Sequence, residues 1–251
     1  MRPAVENAVI ELATPLLIEQ AKELNAYTAS LSTDDIKRTM HVSQKLAEKT
    51  RDLLQGWTDD LHHQRAAIDS FLGDIYSGMQ VGAWTDEDRL YANDHLRILS
   101  GMYGILRPLD GTYPYRSEMG YKFPNLAYRN LYTFWGDKIA KTLPAGEMIV
   151  DLSAVEYGKT VTQYVDPERI ITPRFLTVSP KTGEPVFVVV HAKIARGAFA
   201  SWMVRHRIEG SEKLKEFNKL GYAYSSELST SKVPVFICQE FGGIGLSVRL
   251  T

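Results

Sequence analysis

One cysteine in 251 residues excludes an internal disulfide and any cysteine-rich metal site. That residue, Cys238, sits in the apolar run Pro-Val-Phe-Ile-Cys-Gln, which places it in a buried strand and not at a reactive surface. No hydrophobic run approaches the length of a membrane span. Glu6 and Glu11 interrupt the opening stretch, unlike a signal peptide, so a cytoplasmic protein with no membrane partner is expected. The net charge of −1 leaves no excess of one sign over the whole surface. Six histidines are scattered without ligand spacing, and the adjacent His62 and His63 point to different faces of a helix. No metal site and no cofactor are expected. The chain also lacks a Walker loop, HExxH, GxSxG, a dinucleotide fingerprint and a zinc-finger or homeodomain recognition helix. It shows neither an internal repeat nor a linker of shifted composition.

What is there reads as one globular α+β domain over residues 1–251, a single mixed β-sheet surrounded by helices. Hydrophobic residues at 44% and charged residues at 24% are ordinary for such a domain. The first hundred residues read as helical. Leu16 to Leu24 has helical apolar spacing. Ser32 with Asp35 opens a helix whose buried face holds Ile36, Met40, Ala47 and Leu54, stopped by Gly56. Thr85 with Asp88 caps a helix that runs to about Ser100. A helix is expected over 131–143, and strands over 148–153, 170–178, 186–191 and 233–239. Pro180 to Gly183 is a hairpin turn. The glycine-rich run 242–245 reads as a strand-like tail.

Two stretches carry the chemistry. The first is HLRILSGMYGILRPLDGTYPYRSEMG, residues 95–120, with Arg97, Arg107, Arg116, Tyr115 and a turn bounded by Gly101 and Gly104. Two short helical elements joined by such a turn present backbone N–H groups to a phosphate, and arginines add bidentate donors. The second is HAKIARG, residues 191–197, where a strand ending at His191 hands over to a helix whose first turn carries Lys193 and Arg196 on one face. Positive charge at a helix start opposes the macrodipole, so a bound anion or an ion pair with Glu118 or Glu156 is needed there. Segment 31–90 carries eleven acidic against seven basic side chains, whereas 95–132 and 191–207 are basic. If the basic segments meet, they form one positive cleft. Ser153, Glu156 and Tyr157 lie at the carboxyl end of the strand at 148–153, a position where ligand groups gather. Glu118, Glu156 and Tyr157 are the candidates for proton transfer.

The 95–120 stretch resembles the core motif of the YaaA family, the peroxide-stress proteins. FLGDIYSGM (71–79), LYTFWGDKIAKTL (131–143), VDLSAVEYGKTV (150–161), HAKIARGAF (191–199) and FNKLGYAY (217–224) resemble further family blocks in the same order. Family members usually open with a short strand and a Ser-Pro-Ala-Lys-Thr-like turn. This chain opens MRPAVENAVIELAT, without that turn, so either the start is truncated or this branch has lost it. The resemblance implies a cytoplasmic protein of the response to hydrogen peroxide that limits oxidative damage and free intracellular iron. It also implies DNA binding without sequence specificity, through a helix-hairpin-helix-like element at Leu99 to Leu106 flanked by Arg97 and Arg107. The alternative is an enzyme acting on a phosphorylated or carboxylated small molecule in a pocket lined by the same Arg, Lys, Glu and Tyr side chains. The partner is DNA on the first reading and a small anion on the second.

Overall fold

A computed structural model describes residues 1–3, 11–124, 128 and 130–243. The helices are α1 (Ile18–Thr28), α2 (Thr33–Met40), α3 (Gln44–Gln55), α4 (Ala67–Ser70), α5 (Asp74–Met79), α6 (Asp86–His95), α7 (Leu131–Trp135), α8 (Val155–Thr162) and α9 (Val189–Arg205). The first five strands are β1 (Arg65–Ala66), β2 (Ile98–Ser100), β3 (Gly104–Leu106), β4 (Gly111–Thr112) and β5 (Ile149–Val150). The others are β6 (Ile170–Ile171), β7 (Arg174–Val178), β8 (Pro185–Val186), β9 (Tyr222–Tyr224) and β10 (Val235–Cys238). The α+β class is as expected. Among the described residues the strands form one four-stranded mixed sheet and three two-stranded pairs, not one sheet alone. The opening stretch 4–10 and much of the glycine-rich run at 242–245 lie outside the described residues.

Two compact units are distinguished. The first comprises Met1–Phe71, Arg97–Pro144 and Ala154–Val165; the second comprises Leu72–Leu96, Ala145–Ser153 and Asp166–Thr251. In the first, Ser32 and Asp35 form the expected capping box. The single helix expected to follow is instead two, because His41 turns left-handed at φ 51° and Ser43 caps a new helix through Leu46 N–H. Ile36 and Met40 of α2 and Ala47, Thr50 and Leu54 of α3 are the buried faces of this helical hairpin.

The expected helix-hairpin-helix at 99–106 is corrected. Helix α6 ends at His95, Leu96 is already extended, and β2 and β3 form an antiparallel hairpin pairing Ile98 with Leu106 and Ser100 with Gly104. Residues Gly101, Met102, Tyr103 and Gly104 are all buried. Gly104 adopts φ 69°, and a β-carbon there would lie 2.8 Å from the Trp135 ring. Trp135 Nε1 donates to the Gly101 carbonyl at 3.1 Å. The helix expected over 131–143 stops at Trp135, because Gly136 leaves the helical region at φ 50°.

In the second unit, β7 and β10 run parallel at the centre of the four-stranded sheet, flanked by β8 and β9. The hairpin turn at 180–183 forms as expected, closed by Ser179 N–H to the Glu184 carbonyl, with Gly183 at φ 73°. Helix α9 packs on this sheet through an aromatic core of Phe175, Phe199, Phe217, Phe236, Trp202 and Tyr222. The strand expected to reach His191 ends at Val186, so His191 is a helical residue.

Helices α5 and α9 approach so closely that their backbones touch. A β-carbon at Gly78 would sit 2.1 Å from the Ile194 carbonyl oxygen, and one at Gly197 1.8 Å from that of Ile75. Two of the resembling blocks, at 71–79 and 191–199, are therefore the two sides of one helix crossing. Gly197→Ala should destabilise the protein by about 3 kcal/mol, because backbone and not a side chain must yield. Gly82→Ala, which meets nothing within 4 Å, should change stability by less than ~0.5 kcal/mol. Urea unfolding of the two variants checks this; equal effects would contradict the crossing.

Candidate functional site

The segment Arg107-Pro108-Leu109-Asp110-Gly111 is built around a buried carboxylate. Asp110 is 0% exposed. It accepts from Arg107 N–H at 2.7 Å and Nε at 2.9 Å, and Arg107 Nη2 lies 2.8 Å away. Arg107 Nη2 also donates to the Thr14 carbonyl at 3.1 Å. The backbone around this pair gathers three segments. Ala13 N–H donates to Leu109, Gly111 N–H to Ala13, Ala67 N–H to Asp110 and Ile68 N–H to Pro108. Burial pushes the Asp110 carboxyl above its ordinary range, against the pull of the Arg107 hydrogen bonds and the charges of Arg107 and Arg97. Arg107 is therefore bound to a structural carboxylate, and Arg97 is close enough for its charge to act on it. Tyr115 is also structural in its contacts: its hydroxyl lies 2.7 Å from Ser100 Oγ, and its ring meets Phe71 and Tyr103 edge-on.

The structure does bring Arg116, Glu118, Glu156 and Tyr157 together in the first unit. Burial, then the charges of Glu156 and Glu118, raise the Tyr157 hydroxyl well above its ordinary value, opposed by a hydrogen bond from the Met119 backbone. Tyr121 is raised by burial and by Glu118, and is hydrogen-bonded to Arg116. Tyr132 is raised by burial and by Glu156. A β-carbon on the exposed Gly120 would sit 3.9 Å from Glu156 Oε2, an ordinary van der Waals contact, so the 118–120 turn passes beside this carboxylate. The phenols remain protonated donors at neutral pH beside two carboxylates. Tyr121 and Tyr132 escaped sequence reasoning, since no local spacing links them to residue 156.

In the second unit, Lys193 and Arg196 lie on α9, in its second and third turns and not its first. Arg196 is half-buried and donates through Nη1 to the Ser153 carbonyl at 3.2 Å. Arg205 and Arg207, the other cations of the basic run, lie 3.9 and 2.9 Å from the Asp88 carboxylate. His191 Nδ1 lies 3.0 Å from Thr177 Oγ1, whose oxygen is 3.3 Å from the Tyr222 hydroxyl. The imidazole stacks on Phe241 with centroids 3.9 Å apart. Burial pushes Tyr222 up to about 12. Cys238 is buried, its thiol directed at the Leu220 carbonyl, and burial pushes it up as well. Among the described residues, no three His, Cys, Asp or Glu side chains gather as a metal-binding group.

Two outcomes follow. Asp110→Asn leaves Arg107 facing a neutral partner in a buried site and should cost about 3 kcal/mol in denaturant unfolding; a loss below ~1 kcal/mol would contradict the assigned role. Burial holds the His191 pKa below its ordinary value. Below pH ~6.5 the unfolded chain therefore binds more protons than the folded one, and stability falls as pH drops through that window. The contribution is fully present above it. His191→Gln should flatten the stability profile between about pH 5 and 7; superimposable profiles would contradict the half-buried, neutral imidazole.

The family model described as "Peroxide stress protein YaaA" matches residues 2–228. A UPF0246 protein of Salinispora tropica is 51% identical over 249 residues, covering 99% of this chain and 94% of its own length. One from Marinomonas sp. is 39% identical over 232 residues, with 90% and 88% covered. One from Clostridium beijerinckii is 35% identical over 238 residues, with 92% and 91% covered. With the family model running through every block noted above, the chain belongs to the YaaA family of peroxide stress proteins.

Proposed function

We propose that this protein serves the peroxide-stress response by binding DNA through the sugar–phosphate backbone, without reading sequence, and that the α2–α3 hairpin makes the contact. The carrying observation is the start of α3. Ser43, Gln44 and Lys45 are exposed there, the first turn holds no acidic residue, and Lys49 lies one turn further along the same face. Helix geometry leaves the first amides without intrahelical acceptors, and the macrodipole favours an anion beside them. A phosphate meets both, with two lysines to neutralise it. Amide contacts to phosphates follow duplex shape and not base identity. Arg107 is committed to Asp110, and this hairpin supplies the phosphate contact in its place. Shielding of DNA from oxidative damage follows from occupancy of the duplex in the cytoplasm, and the effect on free iron is indirect.

Binding to a labelled duplex should weaken steeply with salt. Lys45→Ala/Lys49→Ala should make the slope of log K against log salt shallower by about 2, because two phosphate contacts are lost. An unchanged slope would remove the hairpin from the interface. A second reading, acid–base work on a small molecule, is supported by the Glu156–Tyr157 arrangement, where a carboxylate stands beside protonated phenols. Tyr157→Phe would then abolish turnover of a substrate while leaving duplex binding intact; parallel loss of both would oppose a separate site.

A further inference from the structure

The cations of the second unit are not treated alike. Arg205 and Arg207 face Asp88. Among the described residues, Arg196 has a single hydrogen-bond acceptor, the Ser153 carbonyl, for its five guanidinium donors. Its nearest carboxylate by charge is Asp151, yet Asp151 Oδ1 already accepts from Ser153 N–H at 2.9 Å and Ser153 Oγ at 2.6 Å. Lys193, three residues before Arg196 and on the same face of α9, is exposed and forms no ion pair among the described residues. The guanidinium nitrogens of Arg196 not bonded to Ser153 reach solvent, so an acceptor supplied from outside can engage them.

We propose that Arg196 and Lys193 of α9, with the Asp151–Ser153 turn, form a binding site for a small anion bearing a phosphate or carboxylate group. The turn follows β5 directly and is pinned by Asp151 N–H to the Ile171 carbonyl at 2.8 Å, so it is a fixed wall. The Ser153 carbonyl orients one edge of the guanidinium and leaves the remaining donors for two oxygens of one group, the fork geometry in which arginine excels. Lys193 adds a mobile point charge from the rim. Asp151 offsets one of the two positive charges, which sets the preference for a compact anion over a strongly charged polyanion. Burial lowers the Arg196 pKa, consistent with a recessed group that a ligand completes. Recession also favours a small ligand, since a duplex backbone engages protruding side chains.

The test is titration of the full-length protein with inorganic phosphate, and separately with acetate, by calorimetry at constant ionic strength. Saturable binding of at least one anion is expected. Lys193 is exposed, so Lys193→Ala should leave the fold intact and weaken binding about tenfold. Arg196→Lys keeps the charge but loses the fork, and should weaken it by more than tenfold. No saturable binding by wild type, or unchanged affinity in the Lys193→Ala variant, would overturn the proposal. So would displacement of the bound anion by a short DNA duplex, which would assign these cations to a nucleic-acid surface. Unaltered anion binding in the Lys45→Ala/Lys49→Ala variant is expected, so this site and the DNA reading fail or stand separately.

Discussion

A carboxylate with no exposure cannot remain charged without partners held in place around it. In this chain Asp110 is that group, and the first unit is arranged to satisfy it. Arg107 reaches it from three residues away, and the same guanidinium holds the Thr14 carbonyl. The backbone on either side then pairs with Ala13, Ala67 and Ile68. The β1–β4 pairing, Arg65 with Thr112 and Ala66 with Gly111, follows directly from this anchor. Thr112 Oγ1 extends it to the Arg65 carbonyl and Ser70 Oγ. A buried pair of this kind adds little against an apolar replacement, but removal of one partner is expensive. It specifies which segments meet.

The glycines of the resembling blocks obey a similar constraint. A β-carbon at Gly101 would lie 2.5 Å from the Ser117 carbonyl oxygen, and one at Gly104 would enter the Trp135 ring. Gly78 and Gly197 let two helix backbones touch. Gly101 and Gly104, read in the sequence as a phosphate-presenting turn, are close-packing positions in the fold. The sites proposed above lie apart from this packing, at the start of α3 and at Arg196 of α9.

Much of the local structure was legible. The boxes Ser32–Asp35 and Thr85–Asp88, the turn at 180–183 and a strand within 233–239 are written in short-range chemistry, and all form, the strand over Val235–Cys238. The breaks were harder to read. His41 enters the left-handed region without being glycine, so nothing local announces that one helix becomes two. The apolar residues Ile98 and Leu99 fit a helix or a strand equally, and the pairing with Leu106 and Ile105 decides for the strand. At the site, the i, i+3 spacing of Lys193 and Arg196 was visible, as was the gathering of Glu156 with Tyr157. The spacing of Arg107 and Asp110 also permitted an ion pair, but net-charge counting treats such a pair as two independent charges. Tyr121 and Tyr132 join residue 156 only through the tertiary fold.

The central claim is that the glycine–arginine stretch at 95–107 is a structural anchor and that phosphate contact falls on the α2–α3 hairpin. Amide hydrogen exchange of the intact protein, with and without a DNA duplex, tests it most directly. Slowed exchange on DNA addition is predicted at His41 to Lys49, with no change at 98–107, which is already protected by the β2–β3 pairing and burial. New protection at 98–107 with none at 41–49 would contradict the account.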